Sequence, residues 1–331
     1  MHISVMTIKR VLAGVSAIYL VVSFMIFLVS FLIPQAEIRG ILRSLFALLT
    51  FPSLGLLPLS MVLRQWRLVL LLLPILFAWG LIYGTLLVPR TGSASESEFR
   101  FTVLTFNIQI ATENLDSLGM MIRNADADIV ALQELSEPAA QSLSQTLAAV
   151  YPYQALYPQE NPHWGQGVLS RFPLSESEYW RNEEIEVAQG HMWAQVEIDG
   201  RVITIFSTHP VPPFSFEKGI TLQAHSREIS ILLERVAQHD TPLLLMGDFN
   251  MTQLMDEYRQ TTRLYVDTFR EAGRSGFGFS FPAGNRLPLP PIVRLDYIFH
   301  SAHFRGLDAH PLPRSGVSDH LPFWAELVFI E

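Results

Sequence analysis

A chain of 331 residues without cysteine can form no disulfide, thiolate metal ligand or cysteine nucleophile, and it is long enough for one large domain or two smaller ones. Residues 1–100 hold eight Lys/Arg against three Asp/Glu, and residues 101–331 hold fifteen against twenty-eight, a formal charge of −13 for the second part. So acidic a surface repels a phosphate backbone unless a metal or local basic patch offsets it, which disfavours long duplex nucleic acid and leaves small phosphate esters open.

The first predicted elements are membrane helices. Residues 11–33 are a charge-free stretch of 23 residues preceded by Lys9 and Arg10. At about 1.5 Å per residue this stretch covers roughly the 30 Å of a bilayer's hydrocarbon core. It is too long for the apolar region of a signal peptide, and no small-x-small cleavage site follows it. Residues 44–63 and 68–88 are two further charge-free stretches, interrupted by Pro52, Pro58 and Pro74, which membrane helices tolerate. Three spans are therefore expected, forming a membrane domain over residues 1–90. Lys9, Arg10, Arg64 and Arg67 fall on one side of such a topology, and Arg39, Arg43, Arg90 and Arg100 on the other. The very short, basic loop at 64–67 tips this balance to a cytoplasmic N-terminus and an extracytoplasmic soluble part in a bacterial inner membrane.

Residues 91–100 begin with small polar side chains, the composition of a flexible linker. Beyond it, apolar runs predict strands at 101–106, 129–132, 168–170, 193–198, 202–206, 243–246, 295–299 and 323–329. Asp199-Gly200 marks a hairpin turn between the fourth and fifth of these. Amphipathic helices are expected at 115–124 and at 221–238, where Leu222, Ile229, Leu232, Leu233 and Val236 share a stripe. Many strands with few helices predict an α/β fold: a four-layer sandwich of two packed mixed β-sheets flanked by helices, preceded by three transmembrane helices.

Six short motifs end or follow these apolar runs: Thr105-Phe106-Asn107, Leu132-Gln133-Glu134, Ser207-Thr208-His209, Gly247-Asp248-Phe249-Asn250, Arg294-Leu295-Asp296-Tyr297 and Ser318-Asp319-His320. Gly247 is expected to end its strand and let the chain turn, so that Asp248 and Asn250 project the same way. A carboxylate such as Asp248 can position or deprotonate a water, and an amide such as Asn250 can donate to a phosphoryl oxygen without adding charge. Hard Mg²⁺ takes one or two carboxylates and keeps several waters, so a single Glu134 at a strand end suffices as its main ligand. Asp296 is a candidate to orient one ring nitrogen of His320. Taken singly, each motif also reads as an Asx turn, a helix start or a structural histidine.

The ordered set resembles the endonuclease/exonuclease/phosphatase superfamily over nearly all of residues 100–331. That resemblance implies a catalytic domain at 101–331 with Mg²⁺ or Mn²⁺ held by Glu134, with Asn107 and Asp319 nearby. It implies that Asp248 orients or activates the attacking water and Asn250 contacts the phosphate. His209 and His320 would stabilise phosphoryl charge or shuttle a proton, with Asp296 orienting His320. His191 departs from the pattern, standing where relatives often carry an arginine before the strand, which puts phosphate contacts from that segment in doubt. Members with three spans resemble membrane phosphohydrolases implicated in teicoplanin resistance, which act on isoprenoid pyrophosphate carriers. Two apolar, proline-rich stretches, 211–216 and 287–292, flank the motifs and could form a rim for a lipid tail. The expected substrate is thus a lipid-linked phosphate. The alternatives are a metal-dependent nuclease, for which Arg259, Arg263, Arg270 and Arg274 could supply a small groove, a sphingomyelinase-like phosphodiesterase, or a non-catalytic scaffold.

Overall fold

The computed structural model describes residues 5–95, 98–109, 114–215, 218–284, 289–316 and 318–330. The chain divides into two compact units, Met1–Val88 with Gln253–Asp256, and Pro89–Thr252 with Glu257–Glu331.

The first unit is helical: α1 (Val5–Leu32), α2 (Ala36–Leu49), α3 (Pro52–Val62) and α4 (Trp66–Tyr83). Three stretches are long and apolar enough to cross a membrane: Val5–Leu32, Ala36–Val62 and Trp66–Leu87, with mean hydropathies of 2.5, 1.9 and 2.2. Their polarity is inverted relative to a water-soluble bundle. The buried residues of α1 are Leu12, Ser16, Ser23 and Ser30, while Val15, Val22, Phe24 and Phe31 are exposed. Small residues inside and large apolar ones outside is the pattern of helices solvated by lipid. The second span starts at Ala36 rather than at 44, as the charge-free run suggested. It takes in Glu37, Arg39 and Arg43 because a helix can run on past the apolar stretch. It is interrupted at Thr50-Phe51, where α2 ends and Pro52 opens α3 at a position that needs no N–H partner.

In the second unit the chain runs β1 (Arg100–Asn107), α5 (Leu115–Ala125), β2 (Ile129–Gln133), α6 (Glu137–Thr146), β3 (Tyr153–Tyr157), β4 (Gln166–Ser170), β5 (Leu174–Arg181), β6 (Gly190–Ile198) and β7 (Arg201–Thr208). It continues through β8 (Phe214–Ser215), β9 (Gly219–Ile220), α7 (Leu222–Val236), β10 (Leu243–Asp248), α8 (Asp256–Thr262), β11 (Val266–Asp267), α9 (Thr268–Ala272), β12 (Asp296–His300), β13 (Phe304–Pro311) and β14 (Phe323–Phe329). One six-stranded sheet has the order β13-β14-β1-β2-β4-β3 and the other β11-β12-β10-β7-β6-β5. Each contains one parallel pair, β1 with β2 and β10 with β7, so both are mixed as expected.

The sheets pack face to face, β1 against β10 and β12, and β2 against β7 and β10. The outer face of the first sheet is covered by α5 and α6 through Leu118, Ile122, Ala139 and Leu143. Helix α7 buries Ile229, Leu232, Leu233 and Val236, the predicted stripe apart from Leu222, which is half-buried. Asp199 and Gly200 both have positive φ, 51° and 73°, the backbone of a two-residue hairpin turn. Small polar residues tie the sheets together near one end. Gln133 Nε2 donates to Ser207 Oγ at 2.9 Å, Ser207 Oγ donates to Gln166 Oε1 at 2.7 Å, and Thr105 Oγ1 donates to Gln133 Oε1 at 3.2 Å. Buried polar groups so paired cost little and fix which strands oppose one another.

The segment expected as a flexible linker hydrogen-bonds along the first sheet's edge. Gly92 N donates to Leu307 O at 2.7 Å, and Arg305 reaches Ser93 O at 2.6 Å and Glu98 Oε1 at 2.7 Å. Glu96 and Ser97 of that segment lie outside the described residues.

Candidate active site

Strand direction alone brings the chemistry to one edge. The parallel pairs β1/β2 and β7/β10 end there, which delivers Asn107, Glu134, His209 and Asp248. Strand β12 is antiparallel to β10 with Asp296 opposite Asp248, so Asp296 opens its strand rather than ending one. Strand β14 is antiparallel to β1, so the Ser318-Asp319-His320 loop before it returns to the same edge. A cleft of about 580 Å³ there is lined by Asn107, Glu134, His209, Asp248, Asn250, Asp319 and His320, together with Gln109, His163, Gln189, Pro212, Ser215 and Lys218. Of the eight residues singled out from sequence, seven line it; Asp296 sits behind it, fully buried.

Asp248 is the hub. Its Oδ2 accepts from Asn107 Nδ2 at 3.0 Å and lies 3.5 Å from His320 Nε2 and 3.6 Å from His209 Nε2. Its Oδ1 accepts the backbone N–H of Asn250 at 2.9 Å. Asn250, left-handed at φ 49°, turns its amide to donate to Pro210 O at 3.0 Å, which holds the loop carrying His209. Gly247 does not end the strand, which runs on to Asp248. The glycine is required because a Cβ there would stand 2.0 Å from Thr208 O. Only glycine lets β10 and β7 approach so closely that Asp248 and His209 meet.

His320 is oriented from behind. Its Nδ1 donates to Asp296 Oδ2 at 2.9 Å, leaving Nε2 toward the cleft. Burial disfavours charge on this ring, but Asp296, Asp248 and Asp319 outweigh it and raise its pKa to about 10. The ring and the buried Asp296 carboxyl are both shifted upward, so the pair holds its proton tightly. Ser318 fixes the loop: its Oγ donates to Asn107 O at 2.6 Å and accepts from His320 N at 3.0 Å. His209 Nδ1 lies 3.2 Å from the His163 carbonyl, an acceptor only, so Nδ1 carries the proton and Nε2 faces Asp248.

Glu134 has left-handed backbone (φ 60°) and is 8% exposed. Its Oε1 lies 3.3 Å from His163 Nδ1 and 3.4 Å from Asn107 Nδ2, while Oε2 is buried without a hydrogen-bond partner. Burial opposes its ionisation, yet His163, His209 and His320 hold its pKa below the usual carboxylate range. Asp319 is shifted the other way: burial raises its pKa, and the negative charges of Glu134 and Asp248 add to the rise. An orphaned carboxylate oxygen beside further carboxylates is a donor set that fits a hard divalent cation. Asn107 Oδ1, which accepts from Gln109 N at 2.9 Å, keeps a second lone pair for the same cation. Among the described residues, ligand atoms of Asp248, Asp296 and His320 also lie within 4.8 Å of one another. His320 Nδ1 donates to Asp296, so in that trio Nε2 is the ring atom left to face an ion or to carry a proton.

Four cleft residues carried no signal as motifs. His163 reaches Glu134 because β4 is antiparallel to β2, which returns the residues before Gln166 to the site edge. Gln189 arrives in the same way, before β6. Gln109 accepts the Asp319 N–H at 3.0 Å. Lys218 is the only lysine in residues 101–331, a compositional oddity that could have flagged it. His191, the departure from the family pattern, does not line the cleft. It is buried, with Nδ1 2.6 Å from Thr208 Oγ1 and Nε2 3.0 Å from Glu228 Oε1. Glu228 also accepts from Gln189 N and Val211 N, both at 2.8 Å, so the pair braces two cleft walls from behind. The scattered arginines do not assemble into a groove at the site. Arg263 and Arg270 line a separate surface cleft, and Arg274 is paired with Asp308.

Two packed sheets with acids, amides and histidines gathered at one edge form a hydrolase fold. The family model described as "Endonuclease/Exonuclease/phosphatase family" matches residues 104–320, and the chain belongs to that family, whose members hydrolyse phosphoester bonds. No curated protein matches the chain. Among solved structures it is similar to an endonuclease/exonuclease/phosphatase from Bacteroides vulgatus, at 18% identity and a TM-score of 0.58, covering 70% of this chain and 100% of that one. A mannosyl-6-phosphatase from Bacteroides thetaiotaomicron matches at 18% identity and 0.56, covering 69% and 100%. Truncated Caenorhabditis elegans TDP2 matches at 16% and 0.56, covering 70% and 98%. Identities this low speak for the fold alone.

Proposed function

We propose that this chain is a membrane-anchored, divalent-metal-dependent phosphohydrolase that cleaves a lipid-linked phosphoester or pyrophosphate. The observation that carries the reading is the joining, in one chain, of three membrane-suited helices to a cleft where Glu134, Asp248, Asp319, His209 and His320 converge. Residues 1–90 then serve as the membrane domain, 91–100 as the connection and 101–331 as the catalytic domain. Glu134 is the main ligand for Mg²⁺ or Mn²⁺, with Asn107 and Asp319 beside it; the bound ion neutralises phosphoryl charge and polarises the bond to be cleaved. Asp248 orients the attacking water and accepts its proton. His320, held protonated by Asp296, donates a proton to the departing oxygen, and His209 and Asn250 stabilise charge on the phosphoryl group. Lys218 adds a cation at the outer wall, which an otherwise acidic surface needs to admit an anion.

Apolar groups beside the cleft favour a lipid substrate. Phe214 and Ile220 pair across the β8–β9 hairpin that carries Lys218, and they are 55% and 78% exposed. On the other flanking stretch, Leu289 and Ile292 are exposed as well. Phe216, Leu287 and Pro288 of these two stretches lie outside the described residues. Exposed apolar groups on the hairpin that lines one wall of a polar cleft suit a ligand with a charged head and an apolar tail. A soluble sugar phosphate is the second reading, suggested by the mannosyl-6-phosphatase likeness.

Phosphate release by the purified chain should require Mg²⁺ or Mn²⁺ and cease with EDTA. Glu134→Gln should raise the metal concentration for half-maximal rate at least tenfold, about 1.4 kcal/mol of lost affinity. Metal-independent turnover would overturn this assignment. For sidedness, alkaline phosphatase fused after Glu331 should be active and green fluorescent protein dark, as an extracytoplasmic site requires. The reverse pattern would place the site in the cytoplasm and bring nucleotides and nucleic acid back as substrates.

A further inference from the structure

The membrane unit contains a second cleft unrelated to hydrolysis. It has a volume of about 620 Å³ and is bounded by Ala13, Ala17 and Leu20 of α1, Arg64 and Gln65 of the α3–α4 turn, and Trp66, Arg67, Leu68 and Leu71 of α4. Its apolar part exists because α1 presents alanines one turn apart. Beside them α1 and α4 meet through Leu12, Leu68 and Leu72, so small side chains next to that contact leave a furrow open to the lipid phase. Its polar end is fixed by the turn. Gln65 Nε2 donates to Lys9 O at 3.0 Å, which ties the turn to α1 and sets Lys9 and Arg10 at the same end of the unit as Arg64 and Arg67. Arg64 has a φ of 56°, in the left-handed region that non-glycine residues seldom adopt, and Gln65 N reaches back to Ser60 O at 2.9 Å. That left-handed residue closes α3 and turns the chain into α4. None of these four cations forms an ion pair among the described residues. The N-terminus of the 18-residue α4 adds its partial positive charge at the same point.

We infer that this furrow is a binding site for an anionic phospholipid, with the phosphate headgroup at Arg64 and Arg67 and an acyl chain along Ala13, Ala17, Leu68 and Leu71. Charge complementarity selects the occupant: uncompensated cations above an apolar channel match a headgroup with net negative charge over a hydrocarbon chain. Trp66 stands where an amphipathic ring suits the boundary between headgroups and hydrocarbon. The inference is independent of the reaction proposed above.

The test is thermal unfolding of the full-length chain in neutral detergent, titrated with phosphatidylglycerol or with phosphatidylcholine of the same acyl chains. Phosphatidylglycerol should raise the Tm saturably, and phosphatidylcholine should not. Arg64→Gln with Arg67→Gln should weaken the half-saturation point at least tenfold. Ala17→Leu, which fills the channel and leaves every charge in place, should do the same and serves alone if the double variant does not fold. Arg263→Gln with Arg314→Gln, which removes the same charge elsewhere, should respond like the parent. The inference fails if phosphatidylcholine or inorganic phosphate gives the same rise. It also fails if Ala17→Leu keeps the response or if the control pair loses it equally.

Discussion

Replacing Asp248 with alanine is expected to lower phosphoester hydrolysis by about 10²-fold or more, roughly what loss of a general acid–base group costs. The position leaves no substitute: one carboxylate holds Asn107, faces both histidines and anchors the Asn250 backbone. His320→Ala should cost a similar factor, because it removes the ring that Asp296 holds in place. Since His320 Nε2 lies 3.5 Å from Asp248, the two act as a unit. The double variant should lose little beyond the worse single variant, as groups acting together are not additive. Steady-state rates on any accepted phosphoester, with thermal unfolding to confirm folding, check this. Rates equal to those of the parent, or losses that multiply, would contradict the assignment.

Asp267→Asn is expected to destabilise the second unit by about 3–5 kcal/mol, the usual penalty for removing one partner of a buried ion pair. Arg294 is 4% exposed and grips both oxygens of Asp267, with Nη1 to Oδ1 at 3.0 Å. Tyr258 OH adds a donor to Oδ2 at 2.7 Å, and the guanidinium lies 4.3 Å from the Tyr297 ring centre. This clamp ties β11 to the approach of β12, and so sets where Asp296 begins. For a unit of this size the Tm should fall by roughly 10 °C. Replacing both partners with apolar residues, Arg294→Met with Asp267→Leu, should cost much less, because no charge is left buried alone. The clamp also predicts a pH dependence. Burial alone would raise the Asp267 pKa, but Arg294 and Tyr258 hold it below the usual value. A carboxylate depressed on folding stabilises above its unfolded pKa of about 4 and loses that contribution as pH falls through the lower folded value. Asp267→Asn should remove this part of the acid sensitivity.

What could be read from sequence follows burial. Strands β1, β2, β7 and β10 lie at the centres of their sheets, so their side chains are apolar on both faces and their polar termini stand out as motifs. The flanking strands β3, β5 and β13 were not legible. Leu174–Arg181 is largely polar because much of it faces solvent, and Phe304–Pro311 carries a register shift between Gly306 and Asp308. The helical stripe of α7 was legible through its leucines, but His225 and Glu228 on the same buried face were not, because their buried partners, the Val211 carbonyl and His191, lie elsewhere in the chain and leave no periodic signature. Within the site, residues at strand ends announced themselves. His163 and Gln189 did not, since they reach the cleft through pairing directions that no local pattern encodes, and Gln109, two residues past Asn107, lies beyond the apolar run that marks the strand end. Arg294, part of a recognisable motif, serves the clamp and not the cleft.

The central claim is that a lipid-linked phosphate is the substrate, and one assay tests it most directly. The full-length chain with Mg²⁺ should be given undecaprenyl pyrophosphate, sphingomyelin and plasmid DNA side by side, with Asp248→Ala as the blank. Release of phosphate from the isoprenoid pyrophosphate, faster than turnover of the other two and absent in the blank, is the expected result. Preferential cutting of DNA with no turnover of either lipid would contradict the account.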